Sequence, residues 1–283
     1  MKRLAILGGV AFLVPAAAIS AGRDSAHTLG RGKAAVGLEQ EVVTGRRFET
    51  LHWSTQADPV FITEDLRWKT KRTYRTMAVV RYGLLDSVDL SALIGRARPG
   101  FEGAGSFDYQ DPDHYTGRSR IRWRGEYGTV FGAGFHSVFR MGDRWLWGMN
   151  GQYLTHRNSY HTRLSCDVYS GYDTLIEQNS LSRMLTGKPV YSEWHAAPFV
   201  GAETGTFTSY VGIRYSQGLF TVREEDVVLR LFSSESETKR FRTRRPFGAY
   251  ARIERRISPS WKASLDGRLI NERALSFGMQ AAF

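Results

Sequence analysis

The sequence predicts an all-β fold, a ten-stranded antiparallel up-and-down transmembrane β-barrel. Three observations predict it. The chain ends in strict alternation, ten such segments recur along it, and the connections between them are long and short in turn. In the last segment Leu275, Phe277, Met279, Ala281 and Phe283 form one row, and Ala274, Ser276, Gly278, Gln280 and Ala282 form the other. A strand has a side-chain period of two, so one face is apolar and the other small or polar. The ten segments are approximately 34–44, 72–84, 87–97, 119–140, 143–156, 189–202, 206–216, 246–257, 260–270 and 272–283. Most reach the roughly 9–11 residues that a tilted strand needs to cross a bilayer.

The connections sort by length. Leu85-Asp86, Gly142, Glu203-Thr204-Gly205 and Ser258-Pro259 are tight turns, and Asn271 is one further tight link. Glycine, proline and aspartate suit such turns through their backbone preferences. The stretches 45–71, 98–118, 157–188 and 217–245 are long. Membrane barrels carry short turns at one rim and long loops at the other. An even strand count returns both chain ends to the short-turn rim.

The faces follow from the alternation. Strand 119–140 is expected to place Trp123, Tyr127, Phe131, Phe135 and Phe139 outward, and Glu126, Gly132, His136 and Arg140 inward. Phe139, Trp145, Phe207, Trp261 and Phe283 then fall near the short-turn rim, and Trp123, Tyr153, Trp194 and Tyr215 near the other. Two aromatic girdles are what a bilayer with two interfaces selects. The outward arginines Arg96, Arg255 and Arg273 lie near strand ends. There a guanidinium snorkels to the headgroups. Inward rows carry both signs of charge. Among them a lumen network is expected from Arg122, Arg124, Glu126, Arg252, Glu254, Arg256, Asp266 and Arg268.

The beginning of the chain reads as a secretory leader. Met1-Lys2-Arg3 is basic, Leu4 to Ile19 is apolar with Pro15 inside it, and Ala18 to Ala21 offers small residues for cleavage. The apolar run is shorter than the roughly 20 residues of a spanning helix. The expected organisation is a signal peptide over 1–21 and one barrel domain over 22–283. The mean hydropathy of −0.35 fits a barrel, in which only alternate residues face lipid. A single cysteine, Cys166, excludes an internal disulfide. Without Lys2 and Arg3 the chain keeps 37 basic and 28 acidic residues, a net charge of +9. The positive charge is scattered over strands and loops, which argues against nucleic acid as a partner. An anionic glycan surface is the better match.

A family resemblance rests on several of these residues. The C-terminal strand resembles the assembly signal of Gram-negative outer-membrane β-barrel proteins, with Ser276, Gly278, Ala281 and Phe283 at its polar, glycine and apolar positions. Arg81-Tyr82-Gly83-Leu84, followed by Val88-Asp89-Leu90 and Gly95, looks like a hairpin common in small barrels of this kind. Glu193-Trp194-His195-Ala196-Ala197-Pro198 and the stretch from Gly267 to Ser276 are similar to their later strands. The chain thus resembles the porin-like and OmpA-like superfamily. The resemblance implies an integral outer-membrane location with both termini periplasmic. It also implies the barrel-assembly machinery, outer-membrane lipids and lipopolysaccharide as partners. It implies no activity, since such barrels host pores, adhesins, enzymes and passive scaffolds.

Three catalytic chemistries have candidate residues in the sequence. Omptin proteases resemble this chain in size and strand count, and use an aspartate pair facing an Asp-His pair. The nearest material is Asp111-Pro112-Asp113-His114, where Asp113 and His114 are adjacent and no second acidic pair matches. Outer-membrane phospholipases use a His and a Ser two apart on one face, so that the imidazole activates the hydroxyl. Here His136 and Ser137 are consecutive, and the pleat puts them on opposite faces. Glu193 and His195 are two apart and inward, with His156 inward on the preceding strand. The three read either as a metal or general-base cluster at the lumen mouth or as plain lumen packing. No cofactor motif appears. The expected function is a non-enzymatic surface or envelope-integrity scaffold displaying long extracellular loops. The alternative is a narrow pore for small solutes, followed by a barrel protease or lipid hydrolase and by a soluble secreted β-sandwich.

Overall fold

Extended, alternating sequence dominates the chain, and the computed structural model is accordingly all β. It describes residues 28–57, 60–110, 115–170, 174–184, 188–223 and 238–283. The expected leader over 1–21 and the Asp111 to His114 stretch lie outside the described residues. Among the described residues seventeen strands form, numbered in chain order: β1 Ala34–Thr44, β2 Arg47–Ala57, β3 Val60–Thr70, β4 Thr73–Leu85, β5 Val88–Arg98, β6 Gly100–Gln110, β7 Tyr115–Gly125, β8 Gly128–Met141, β9 Trp145–Arg157, β10 Tyr160–Ser170, β11 Thr174–Met184, β12 Val190–Thr204, β13 Phe207–Arg223, β14 Thr238–Arg242, β15 Phe247–Arg256, β16 Trp261–Leu269 and β17 Arg273–Ala282.

Ten of them close into the expected antiparallel barrel. The order is β12-β9-β8-β5-β4-β1-β17-β16-β15-β13, and β13 pairs back onto β12. Closure removes every open edge, which a lipid-embedded sheet requires. The start of β1 and the last residue meet at the short-turn rim, where Phe283 N–H donates to the Ala34 carbonyl at 2.8 Å. Two of the turns at this rim hold a glycine in the left-handed region, Gly142 at φ 79° and Gly205 at φ 62°.

The four long connections are not loops over the residues described. They are hairpins that carry the barrel upward. The strands β11-β10-β7-β6-β3-β2 form a second sheet, and β14 pairs with the far end of β13. A bridge between Phe48 and Thr243 joins β2 to the chain just after β14. The molecule therefore has a lower barrel and an upper sheet that curves above it.

One expected strand is divided in the structure. The segment 119–140 is two strands, with a break at Glu126 and Tyr127. At the break Gly125 N–H donates to the Pro99 carbonyl at 2.7 Å and Glu126 N–H to the Ser159 carbonyl at 2.9 Å. Val130 faces inward below the break, and Ile121 and Trp123 face inward above it. The inward row thus changes from even to odd numbers. Shifting a strand by one residue moves every side chain to the other face. Trp123 is therefore buried in the upper interior and is no girdle residue. Arg122, Arg124 and Glu126 are exposed on the outside and are no part of a lumen network.

The other faces follow the alternation. A band of exposed apolar side chains encircles the lower barrel, including Leu38, Val80, Ile94, Phe131, Ile213, Leu265 and Leu275. Phe139, Trp145, Phe207, Trp261 and Phe283 ring its short-turn end. Tyr127, Tyr153 and Trp194 ring the other, and Tyr215 lies there between Trp194, tilted at 5.0 Å, and Phe247, edge-on at 5.1 Å. Arg255 rests over the Phe207 ring at 5.3 Å. Such a belt suits hydrocarbon bounded by two interfaces. Ala281 lies in register between Val36 and Trp261, Ser276 faces inward, and an added Cβ on Gly278 would meet the Ser264 hydroxyl at 2.7 Å.

Candidate functional site: a buried charge lattice beneath an aromatic core

The interior is filled from two sides. In the upper part, alternation on eight strands turns large rings inward. Phe48, Leu66, Trp68, Phe101, Ile121, Trp123, Tyr160, Tyr191, Phe220, Val222 and Phe241 form one buried cluster. Phe101 is central, with ring centroids 4.4 Å from Phe220, 6.0 Å from Phe48, 6.0 Å from Tyr160 and 6.3 Å from Tyr191. Trp68 and Trp123 meet at 4.5 Å. The Tyr160 hydroxyl is buried among these rings, and burial pushes its pKa well above the ordinary value.

Directly below lies a lattice of buried ions. Gly45 bends the chain between β1 and β2 at φ +73°, and Arg46 turns into the bore. The bend is fixed by Thr70, which donates N–H to the Arg46 carbonyl and accepts the Arg46 N–H on its hydroxyl, both at 2.8 Å. Glu193 on β12 takes Arg46 at 2.6 Å, Arg214 on β13 at 2.9 Å and Arg75 on β4 at 3.1 Å. The Tyr191 hydroxyl donates to it at 3.0 Å and Ser216 at 3.1 Å. Arg75 also pairs with Glu41 at 2.8 Å. Arg268 bonds Glu41 and lies 3.1 Å from Glu272, which in turn pairs with Arg46. Asp266 stands 3.6 Å from Arg268. Four arginines thus face four carboxylates, contributed by β1, β4, β12, β13 and β16 and by the connections that hold Arg46 and Glu272. In a poorly solvated interior such charges persist only when paired.

Beneath the lattice the lumen opens into a cavity of about 130 Å³ whose lining includes Arg81, Asp89, His136, Arg252, Lys262 and Asp266. Glu254 pairs there with Arg252 at 2.8 Å and Lys262 at 3.1 Å. Arg256, expected in the same network, is exposed at the short-turn rim. Residues before β1 cover this rim. Leu29 is buried, and its N–H donates to the Asp89 carboxylate at 3.0 and 3.1 Å.

The three mouth residues do not form a metal or general-base cluster. His156 stacks on Tyr191 at 5.0 Å and bonds Asn158. His195 Nδ1 faces Arg214 Nη2 at 3.0 Å. Three guanidiniums and two hydroxyls occupy the Glu193 oxygens, which leaves no lone pair for a metal or a proton. Among the described residues no group of three His, Cys, Asp or Glu is placed to hold a metal ion. His136 bonds Asn150 inside, while Ser137 Oγ donates to the Met149 carbonyl outside.

Arg46 and Glu272, both central to the lattice, escape sequence reasoning. Arg46 sits in a long connection, where alternation gives no face, and Glu272 precedes the described strand β17, although the even row of Ala274 and Ser276 was a signal for its inward side. The glycine at position 45 was the available signal for a bend before Arg46.

Glu272 makes the lattice sensitive to acid. Burial alone would raise its pKa, but the guanidiniums of Arg46, Arg268 and Arg214 bring it down to about 2. A depressed carboxyl contributes stability above its ordinary pKa and loses it as pH falls through the folded value. The melting temperature of the folded protein is therefore expected to fall between about pH 5 and pH 2. Circular-dichroism melts check this. A Glu272→Gln variant should melt lower at neutral pH and change less across that window.

The fold is that of outer-membrane β-barrel proteins. It is similar to the outer membrane protease OmpT from Escherichia coli, with a TM-score of 0.51 and 12% identity over 92% of this chain and 100% of that one. A weaker likeness is to an outer membrane channel from Pseudomonas putida F1, with a TM-score of 0.36, 10% identity and coverage of 94% and 100%. Another is to the translocator domain of autotransporter NalP from Neisseria meningitidis, with a TM-score of 0.28, 8% identity and coverage of 90% and 88%. No family model and no curated protein sequence matches the chain.

Proposed function

We propose that the chain is an integral outer-membrane protein with a closed bore, and that it works as a non-enzymatic scaffold. The short-turn rim and both chain ends face the periplasm, and the upper sheet stands outside the cell. The observation that carries this reading is the filled interior. The aromatic cluster occupies the upper bore and the arginine–carboxylate lattice crosses the section below it. A ten-stranded barrel is only slightly wider than the eight-stranded kind that side chains fill. Solutes have no continuous wet path through such a section. The upper part is then a rigid support that holds its outer face and hairpin tips away from the membrane.

The narrow-pore reading predicts the opposite electrical behaviour. Purified protein in a planar bilayer is expected to show very low conductance. A large and stable conductance comparable to a general porin overturns the scaffold reading and establishes a pore.

A further inference from the structure

The outer face of the upper sheet carries a basic groove. On β7 the alternation leaves Arg118, Arg120, Arg122 and Arg124 exposed while Ser119, Ile121 and Trp123 turn inward. The rungs are about 6.7 Å apart at 3.3–3.4 Å per residue. The register sets Arg67 and Lys69 of β3 across Ala104 and Glu102 of β6 from Arg120 and Arg122. Glu102 is spoken for by Arg122 at 3.4 Å, Lys69 at 3.6 Å and Arg120 at 3.9 Å, and against the effect of burial Lys69, Lys71 and Arg122 hold its carboxyl below the usual range. Like charges this dense repel one another. Asp65 and Asp167 also line the groove, Asp167 in register with Arg118, and the more numerous cations of β3 and β7 still leave a net positive charge that a polyanion would relieve.

The face is also shaped. On β6 the outward residues Ala104 and Ser106 are small, with long arginines on either side. The result is a depression of about 460 Å³ between Arg67 on one wall and Arg118 and Arg120 on the other. Ser165, Asp167 and Tyr169 of β10 lie along its far edge, and Arg118 sits over the Tyr169 ring at 5.8 Å. Guanidiniums give bidentate recognition of carboxylate or phosphate. Serine hydroxyls pair with sugar hydroxyls, and an aromatic ring offers an apolar face.

We infer that this groove binds an anionic saccharide chain, with Arg67, Arg118 and Arg120 on its acidic groups and Tyr169 against a sugar ring. The height favours a saccharide over lipid headgroups. Arg120 and Arg118 lie five and seven residues beyond Gly125, where the upper sheet starts above Tyr127 of the girdle. At about 3.3 Å per residue that is roughly 17–23 Å along the strand. Headgroups end near the girdle, whereas surface glycans extend to this level. One ring and short polar groups also suit a sugar better than a nucleic acid, which takes successive stacking platforms.

Binding of oligogalacturonate to the purified full-length protein in detergent tests the assignment by calorimetry, with neutral dextran as control. The assay is independent of conductance and of orientation in the membrane, so it fails or succeeds separately from the scaffold reading. Oligogalacturonate is expected to bind and to weaken with salt, and dextran is expected not to bind. The combined Arg67→Ala, Arg118→Ala and Arg120→Ala variant should bind at least 10-fold more weakly. Arg144→Ala, at the opposite rim, should bind as the wild type does. Tyr169→Ala should weaken binding with no change of charge, which simple charge attraction would not produce. The heat-modified gel shift reports folding of each variant. Absence of oligogalacturonate binding overturns the inference. So does equal binding of a DNA oligonucleotide that ignores Tyr169→Ala, or binding only to vesicles containing lipid A.

Discussion

Replacing Glu193 by Ala is expected to destabilise the protein by about 3–5 kcal/mol, the cost of breaking a buried ion network from one side. The residue serves Arg46, Arg75 and Arg214 together. Its removal leaves those guanidiniums facing one another with only Glu41 and Glu272 to compensate. Glu193→Gln keeps the shape and should recover only part of the loss, because the charge is what the arginines need. Temperature-dependent loss of the compact, SDS-resistant form measures the effect. Glu126 supplies the contrast. It faces His161 at 3.2 Å on the exposed surface. Glu126→Ala is expected to change stability by less than about 1 kcal/mol, as exposed pairs do. A Glu193→Ala protein as stable as the wild type would show that the lattice contributes nothing to holding the bore closed.

Phe101→Ala should have a comparable effect in a different place. Emptying the space of a buried aromatic ring costs about 3–5 kcal/mol. Phe101 touches rings from β2, β10, β12 and β13, so its loss loosens the joints between the upper hairpins. The lower barrel has its own closed hydrogen-bonded circuit and its own apolar clusters. The upper sheet should become sensitive to protease while the lower barrel stays intact and heat-modifiable. Limited proteolysis followed by mass measurement separates the two. Cleavage throughout the chain, with no protected lower fragment, would mean that the two parts fold as a single unit.

The resemblance of the chain ending to an assembly signal needed nothing beyond the row that runs from Leu275 to Phe283. The lower barrel was legible for the same reason. Its strands bury one face and expose the other, so composition alternates, and turn residues such as Gly142 and Pro259 mark the short rim. The upper sheet was less legible. Its segments alternate too, as Leu66 and Trp68 do between Arg67 and Lys69, but they fall in long connections between segments that already span a bilayer, and Ile121 and Trp123 fall in a segment that runs on into the lower barrel. Extending the pattern through Glu126 and Tyr127 then put Arg122, Arg124 and Trp123 on the wrong faces. The pattern has no memory across a break, and a single extra residue reverses it.

The sequence by itself determined the all-β class, the count of ten closing strands, the lipid-facing rows and the girdle positions away from the break. Each depends on a local period that any stretch of strand repeats. Only the tertiary structure decided that the long connections are hairpins, that Arg46 enters the bore, and that Glu193 and Glu272 share arginines with it. Arg46 and Glu193 are 147 residues apart. They meet because the barrel closes and the chain bends at Gly45. Register and closure are properties of the whole sheet, so no local window of sequence contains them.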